Sequence, residues 1–322
     1  MKVGITGASG FIGGHLLREF HKRNWQMRVL QHQSPIPKDV PCEVFTGDIR
    51  DLDSVRNFLE GIDMVFHLAA ALGASLIPDE EFNRINAGGT QNILNAAKEV
   101  GVQRVIHFSS AGVLGAVKQG DVADERYPPH PKSAYDRTKL NAERLVLQYA
   151  DEGLEAVAIR PGWVYGPGDK RTFKLIRAIA RGRFILITRG EAWQTPVYID
   201  DLISGALLAA EQGQAGEIYH MAGNEVMPVR EIVSAIASAT NRRLPRWHLP
   251  LLPTKLGAQL LERMFCLFKR EAPLTPGKLA FFIHPKPLSI TKAKEELGYS
   301  PRTDFKTGII QTVAWCREQG WL

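Results

Sequence analysis

The sequence predicts an α/β fold: a doubly wound parallel sheet with a smaller, mostly helical C-terminal cap. Three observations carry that prediction. Short apolar runs alternate with helical patterns through the first half of the chain. A glycine-rich turn joins the first strand to the first helix. After Gly168 the strand-then-helix rhythm changes, and from Leu244 the chain becomes Pro-rich. The expected division is 1–161 with 192–224 for the sheet domain, and 162–191 with 225–322 for an interleaved cap.

Met1 to Ile5 is short and mostly apolar, a buried strand by length. Phe11 to Arg23 reads as a helix with Phe11, Ile12, Leu16, Leu17 and Phe20 on one face. Between them stands Thr6-Gly7-Ala8-Ser9-Gly10-Phe11-Ile12-Gly13. Gly7 permits the tight turn, Gly10 lets a phosphate approach the backbone, and Gly13 lets the helix pack closely on the strand. The unpaired N–H groups and positive dipole end of the helix then face that phosphate. Gly7, Ser9, Gly10, Phe11, Ile12 and Gly13 are therefore expected to bind a dinucleotide.

A second strand, Met27 to Leu30, ends at Gln31-His32-Gln33. An NAD-specific site commonly places Asp or Glu near here to hold the ribose hydroxyls. Gln31 and His32 remove that repulsion toward a 2′-phosphate, yet no Arg occupies the spot. The expected cofactor is NADP or NAD, with a slight preference for NADP. Ser34 to Pro41 carries three prolines and is a loop. Asp48-Ile49 follows another strand end; it can face the adenine, or Asp48 can serve as a turn or helix-capping residue. Met64 to Leu68 is an apolar strand closing at His67-Leu68-Ala69-Ala70, and the small residues Ala69 and Ala70 suit a backbone lying against a cofactor. His67 is expected to be a satisfied buried histidine.

Glu80 to Val100 reads as a long helix containing Asn86, and Val105 to Phe108 as a strand ending in Ser109-Ser110. Ser133 to Ala150 is a helix carrying Tyr135 and Lys139, and Ala156 to Arg160 a strand closed by Pro161-Gly162. Ligands should sit beyond the C-terminal strand ends, where the glycine loop, Ser109, Ser110 and Pro161 all fall. Further on, Glu217 to Met221 reads as a late strand and Val229 to Thr240 as a helix. Thr254 to Lys269 is a helix with Leu256, Leu260, Leu261, Met264, Phe265 and Phe268. Its broad apolar face could touch a membrane, but packing over a substrate pocket is the expected role.

Composition narrows the class. The 322 residues are 44% hydrophobic and 23% charged, as in a soluble globular protein. The net charge of +6 is scattered, so a solvated basic surface is expected and no nucleic-acid partner. Cys42, Cys266 and Cys316 are widely spaced, which argues against a disulfide or zinc framework, and no metal site is expected. No signal peptide precedes the first strand, and no uncharged apolar run reaches membrane-spanning length. The expected location is cytoplasmic, without stable membrane insertion.

The chemistry rests on Tyr135 and Lys139, one helical turn apart on one face. A free tyrosine titrates near pH 10, and a neighbouring ammonium lowers that value toward the working range. A serine hydroxyl such as that of Ser110 can hold a carbonyl or alcohol oxygen beside the phenol. These are the parts that hydride exchange with a nicotinamide needs.

Taken together, the chain resembles the extended short-chain dehydrogenases/reductases, the NAD-dependent epimerase/dehydratase superfamily. The resemblance runs nearly end to end. It is carried by the glycine loop, Gly47-Asp48-Ile49, His67-Leu68-Ala69-Ala70, Asn86 with Gly89-Thr90-Asn92, and Phe108-Ser109-Ser110. It continues through Tyr135-Asp136-Arg137-Thr138-Lys139, Arg160-Pro161-Gly162 with Val164-Tyr165-Gly166-Pro167-Gly168, Val197-Tyr198-Ile199-Asp200-Asp201-Leu202, and Glu296-Leu297-Gly298-Tyr299. The resemblance implies a Rossmann-type domain, Tyr135 as catalytic acid/base, Lys139 as its partner and ribose ligand, and Ser110 as the substrate-oxygen ligand. It implies cofactor contacts from Asp48, Ile49, Leu68, Ala69, Ala70, Asn86, Ser109, Pro161, Gly162 and Val164. It also implies a homodimer that pairs the helices at Glu80–Val100 and Ser133–Ala150.

Within the superfamily, nucleotide-sugar enzymes usually place asparagine where this chain has Trp163, and arginine near Gln194. Leu114 replaces the tyrosine usual in their S-x-x-V-Y-G stretch. Arg160-Pro161-Gly162 and the apolar C-terminal helix look more like the dihydroflavonol-4-reductase-like and 3β-hydroxysteroid-dehydrogenase-like branch. The expected activity is an NAD(P)-dependent alcohol/ketone oxidoreductase acting on a small, largely apolar substrate, with Trp163 and Gln194 beside that substrate. Arg171, Lys174 and Arg177 could still hold a phosphate. The alternatives are a nucleotide-sugar epimerase or dehydratase with tightly bound NAD, and a non-catalytic NAD(P)-binding protein; retention of Ser110, Tyr135 and Lys139 argues against the last.

Overall fold

The computed structural model describes residues 1–37, 39–72, 77–268, 272 and 274–322. Lys38 of the expected Ser34–Pro41 loop and Lys269, the expected end of the cap helix, lie outside the described residues. The chain begins with β1 (Lys2–Thr6), α1 (Phe11–Lys22), β2 (Gln26–Gln31), β3 (Glu43–Thr46), α2 (Leu52–Leu59) and β4 (Met64–His67). It continues with α3 (Asp79–Asn83), α4 (Gly89–Val100), β5 (Arg104–Phe108), α5 (Ala134–Asp151) and β6 (Ala156–Pro161). Then come β7 (Trp163–Tyr165), α6 (Lys170–Ala180), β8 (Leu186–Ile187), β9 (Trp193–Gln194), β10 (Pro196–Tyr198), α7 (Ile199–Gln212) and β11 (Ile218–Met221). The remainder is β12 (Met227–Pro228), α8 (Val229–Ala239), β13 (His248–Leu249), α9 (Leu251–Leu267), α10 (Pro276–Ile283), α11 (Thr291–Leu297) and α12 (Phe305–Glu318).

Seven strands form one sheet in the order β11-β6-β5-β4-β1-β2-β3, and every neighbouring pair is parallel. The inner strands are apolar on both faces because helices cover both sides. Val3, Ile5, Phe66, Ile106 and Ile159 pack with Leu16, Leu17 and Phe20 of α1 and with α7. On the other face Val65, Val105 and Ala158 meet Val55, Phe58 and Leu59 of α2 and Ile93 and Leu94 of α4. Strand order reverses between β1 and β4, which opens a crevice at their C-terminal ends.

Two local features position the site. Ser133 caps α5 in a reciprocal box: its hydroxyl accepts from the Asp136 N–H at 3.0 Å, and the Asp136 carboxylate accepts from the Ser133 N–H at 3.3 Å. This fixes where α5 starts, and so where Tyr135 and Lys139 project. The helical stretch expected at Glu80–Val100 is continuous but contains a wider π-type turn at Arg84–Gly88. Such turns often mark functional sites, and this one holds Asn86.

The cap helix departs from expectation. In α9 the buried residues are Thr254 and Ala258, while Leu251, Leu252, Leu256, Leu260, Met264, Leu267 and Phe268 are exposed, as is Trp247 before it. These side chains are neither the wall of a pocket nor the core of the cap. The reason is size: the small side chains let α9 approach Leu279, Phe282 and Ile283, and the leucines are turned outward.

Candidate active site

The glycine loop has the shape a pyrophosphate needs. Gly7 has φ +77°, and a β-carbon there would lie 2.7 Å from the Ala69 nitrogen. A β-carbon on Gly13 would collide with the Gly7 carbonyl oxygen, so α1 can lie this close to β1 only with glycine. Gly10 starts α1 with no side-chain cap, and Ser9 and Gly10 are exposed. Phe11 and Ile12, half-buried, thus begin a helix whose first N–H groups are left for a ligand. A dinucleotide fits this cradle.

At the adenosine end, the Gln31 side-chain oxygen accepts from the Ile36 N–H at 3.3 Å, and His32 is exposed. Asp48 is a turn residue: its carboxylate accepts from the Arg50 N–H at 2.9 Å. It also meets the Arg50 guanidinium and lies 3.3 Å from His32 Nε2. The Arg50 hydrogen bond holds the Asp48 carboxyl below the usual range. The cap of α2 is Asp51 instead. Ile49 is buried against Gly89, and its carbonyl accepts from Asn92 at 2.9 Å.

At the end of β4, Leu68, Ala69 and Ala70 are half-buried along the crevice. His67 beneath them is a satisfied core histidine. The Thr90 hydroxyl donates to the Asn86 carbonyl, so its oxygen accepts from His67 Nε2 at 3.0 Å, and the Thr6 hydroxyl donates to Nδ1 at 2.7 Å. Burial holds the ring neutral, with its pKa lowered to about 3. Asn86 turns out to serve the scaffold: it accepts from the Ala71 N–H at 2.7 Å and donates to Thr138 at 3.0 Å. Its polar atoms hold the loop beside the cofactor cleft to α5.

Ser110 follows β5 and Tyr135 lies in the first turn of α5, where the Ser110 hydroxyl acts on the phenol. Burial raises the Tyr135 pKa; Arg171 and the Ser110 hydrogen bond pull it down, and Asp136 pushes it up. Arg171 is the cation that pulls the phenol pKa down in this structure. Lys139 is buried one turn further on, with Nζ 3.5 Å from His107 Nε2. Burial lowers its pKa to about 8, against the raising effect of Glu143. Glu143 in turn takes the Arg160 guanidinium in two bonds, of 2.7 and 2.8 Å, and the Ser109 hydroxyl at 2.7 Å. Ser109 thus spends its hydroxyl inside the protein. The Glu143–Arg160 pair escaped the sequence reading; its signal was that Glu143 continues the Tyr135–Lys139 face by one more turn.

Beyond β6, Pro161 and Val164 are buried, and Gly162 and Trp163 are half-buried. A β-carbon on Gly162 would strike the Thr195 carbonyl. The Trp163 indole packs at 4.7 Å from Phe281 and 6.0 Å from Phe305. Gln194 is buried, and its amide nitrogen donates to the Phe281 and His284 carbonyls at 2.8 and 2.9 Å. Its N–H groups tie β9 to the end of α10.

Residues 3–222 match a profile described as the NAD dependent epimerase/dehydratase family. The chain belongs to this family. It is an NAD(P)-dependent enzyme of the extended short-chain dehydrogenase/reductase type. A ketoreductase of Stigmatella aurantiaca, named for a 4-farnesyl-dihydroquinoline oxide, is 28% identical over 96% of this chain and 95% of its own. The 3β-hydroxysteroid dehydrogenase/Δ5→4-isomerase of Mycobacterium tuberculosis is 31% identical over 98% of this chain and 90% of its own. Among solved structures, MoeE5 in complex with UDP-glucuronic acid and NAD superposes with a TM-score of 0.80. It is 28% identical and covers 99% of this chain and 100% of its own.

Proposed function

We propose that this enzyme exchanges a hydride between nicotinamide and a secondary alcohol or ketone on a small, largely apolar substrate. The observation that carries the reading is that the Ser110 hydroxyl acts on the Tyr135 phenol, with Lys139 buried one helical turn on and the start of α1 left uncapped. The nicotinamide, when bound, supplies or accepts the hydride. Ser110 orients the substrate oxygen. Tyr135, neutral because burial raises its pKa, gives its proton to that oxygen as the carbonyl carbon is reduced, and takes it back in the other direction. Arg171 favours the phenolate left behind. Lys139 holds the cofactor ribose.

The substrate class is supported by the half-buried aromatic pair Trp163 and Phe281, backed by buried Phe305, which offers planar apolar contact and one indole N–H. Residues 162–191 and 225–322 form the substrate-binding cap. The ketoreductase and steroid-dehydrogenase relatives support the same chemistry. For the cofactor, Gly7, Ser9, Gly10, Phe11, Ile12 and Gly13 hold the pyrophosphate, Asp48 and Ile49 border the adenine, and Gln31 and His32 accept a 2′-phosphate. NADP should bind at least as well as NAD in a tryptophan-fluorescence titration, and a clear NAD preference would assign the ribose to another group. The protein is proposed to be a cytoplasmic homodimer paired through α4 and α5.

A second reading, a nucleotide-sugar enzyme, is favoured by the likeness to MoeE5. A buried diphosphate needs cations or amides. Isothermal titration with UDP and dTDP in the presence of NAD(P) separates the two. We expect no micromolar binding; micromolar binding to either overturns the apolar-substrate reading.

A further inference from the structure

Helix α9 carries its large apolar side chains on the side away from the protein. Thr254 and Ala258 are buried, and Leu261 and Phe265 share their side at helical spacing and are half-buried. The other side presents Leu252, Leu256, Leu260, Met264 and Leu267, between 46% and 83% exposed. Phe268 and Trp247 extend this surface at the two ends of the helix. Single exposed leucines are ordinary, but a continuous stripe marks a docking surface.

Charge selects the occupant. Between Asn241 and Phe268 the chain has five cations, Arg242, Arg243, Arg246, Lys255 and Arg263, against one acid, Glu262. Among the described residues none of the five holds an ion pair. Arg18, Arg23 and Arg56 elsewhere on the surface are, by contrast, each paired with an acid. A second copy docked here about a twofold axis would set this positive excess against itself. An anionic bilayer instead receives the leucines among its acyl chains and the cations among its headgroups, with tryptophan at the boundary. Among the described residues no helix is long and apolar enough to cross a membrane, so α9 would lie in the interface.

We infer that α9, with Trp247 and the five cations that hold no ion pair, docks this protein on an anionic phospholipid surface. The docking face is one helix away from the candidate substrate cleft, because α9 packs on α10 and Phe281 of α10 contacts Trp163. The docking stands on the surface alone; that it delivers a bilayer-dissolved substrate rests on the reading under Proposed function.

The test is co-sedimentation of the full chain with vesicles of phosphatidylcholine alone, or of phosphatidylcholine mixed with phosphatidylglycerol. The wild-type chain should pellet with the mixed vesicles, less so at high salt, and stay in solution with the neutral ones. A Leu256→Ser/Leu260→Ser/Leu267→Ser variant should lose pelleting by at least about tenfold, with an unchanged thermal unfolding midpoint. Wild-type chain remaining in solution with anionic vesicles would overturn the inference, as would equal pelleting of the folded variant. A light-scattering mass that falls from dimer to monomer in the variant would give the face to a second copy and overturn it as well.

Discussion

Ser110 and Tyr135 come from two elements, the first just after β5 and the second in the first turn of α5, and the Ser110 hydroxyl acts on the Tyr135 phenol. Phe108 and Ile159 are paired in the sheet just before Ser110, and the Ser133–Asp136 box fixes the first turn of α5. The two residues therefore stand on two rigid supports. If they hold the reacting oxygen, Tyr135→Phe keeps the ring and loses the proton. Turnover should fall by roughly two to four decades while cofactor titration is unchanged. Near-wild-type turnover in that variant would remove Tyr135 from the chemistry.

Lys139 gives a pH dependence. In the free enzyme its ammonium deprotonates as pH rises through about 8, because burial outweighs the attraction of Glu143. The charged form is the stronger ribose ligand, so the cofactor dissociation constant should rise several-fold between pH 7 and about 9. A fluorescence titration across that range measures it. Lys139→Met should bind more weakly and show no such limb; an identical limb in the variant would place the titration elsewhere.

The Glu143–Arg160 pair predicts a stability asymmetry. Both side chains are almost fully buried. Arg160→Leu strands the carboxylate and should cost about 3–5 kcal/mol in urea unfolding, whereas Arg160→Leu together with Glu143→Leu should regain most of it. Equal losses in the single and double variants would show that the two charges do not depend on each other.

Acid should weaken the fold through its buried histidines. Burial lowers His67 and His220 to about 3, while their unfolded value is about 6.5. Below pH 6.5 the unfolded chain binds protons that the folded chain refuses, so this stability is complete above 6.5 and is lost as pH falls. Each ring contributes a slope of up to about 1.4 kcal/mol per pH unit. His220→Gln keeps a donor for the Ser289 carbonyl and should flatten the slope by about that amount between pH 6 and 4. An unchanged slope would mean that His220 does not refuse the proton.

The sheet and the glycine loop were legible because each rests on local signals: apolar runs of strand length, and glycines where a β-carbon meets backbone. Tyr135 and Lys139 were legible by helical spacing. What was hidden depends on contacts distant in sequence. Asn86 looked like a cofactor ligand, yet its bonds to Ala71 and Thr138 close a loop onto α5. Lys139 sits with Nζ 3.5 Å from His107 Nε2, and Arg171 of α6, distant in sequence, also pulls on the Tyr135 phenol. In α9 the leucine pattern showed which residues share a face but not which face is covered. Thr254 and Ala258 decide that, and small residues give a periodicity reading little weight.

The most direct test follows nicotinamide absorbance while the purified enzyme turns over a secondary alcohol or its ketone, with product measured in parallel. Hydride exchange with an outside substrate predicts one nicotinamide oxidised or reduced for each product formed, and the loss of both signals together in Tyr135→Phe. Conversion of a nucleotide sugar with no net change in nicotinamide absorbance would contradict it.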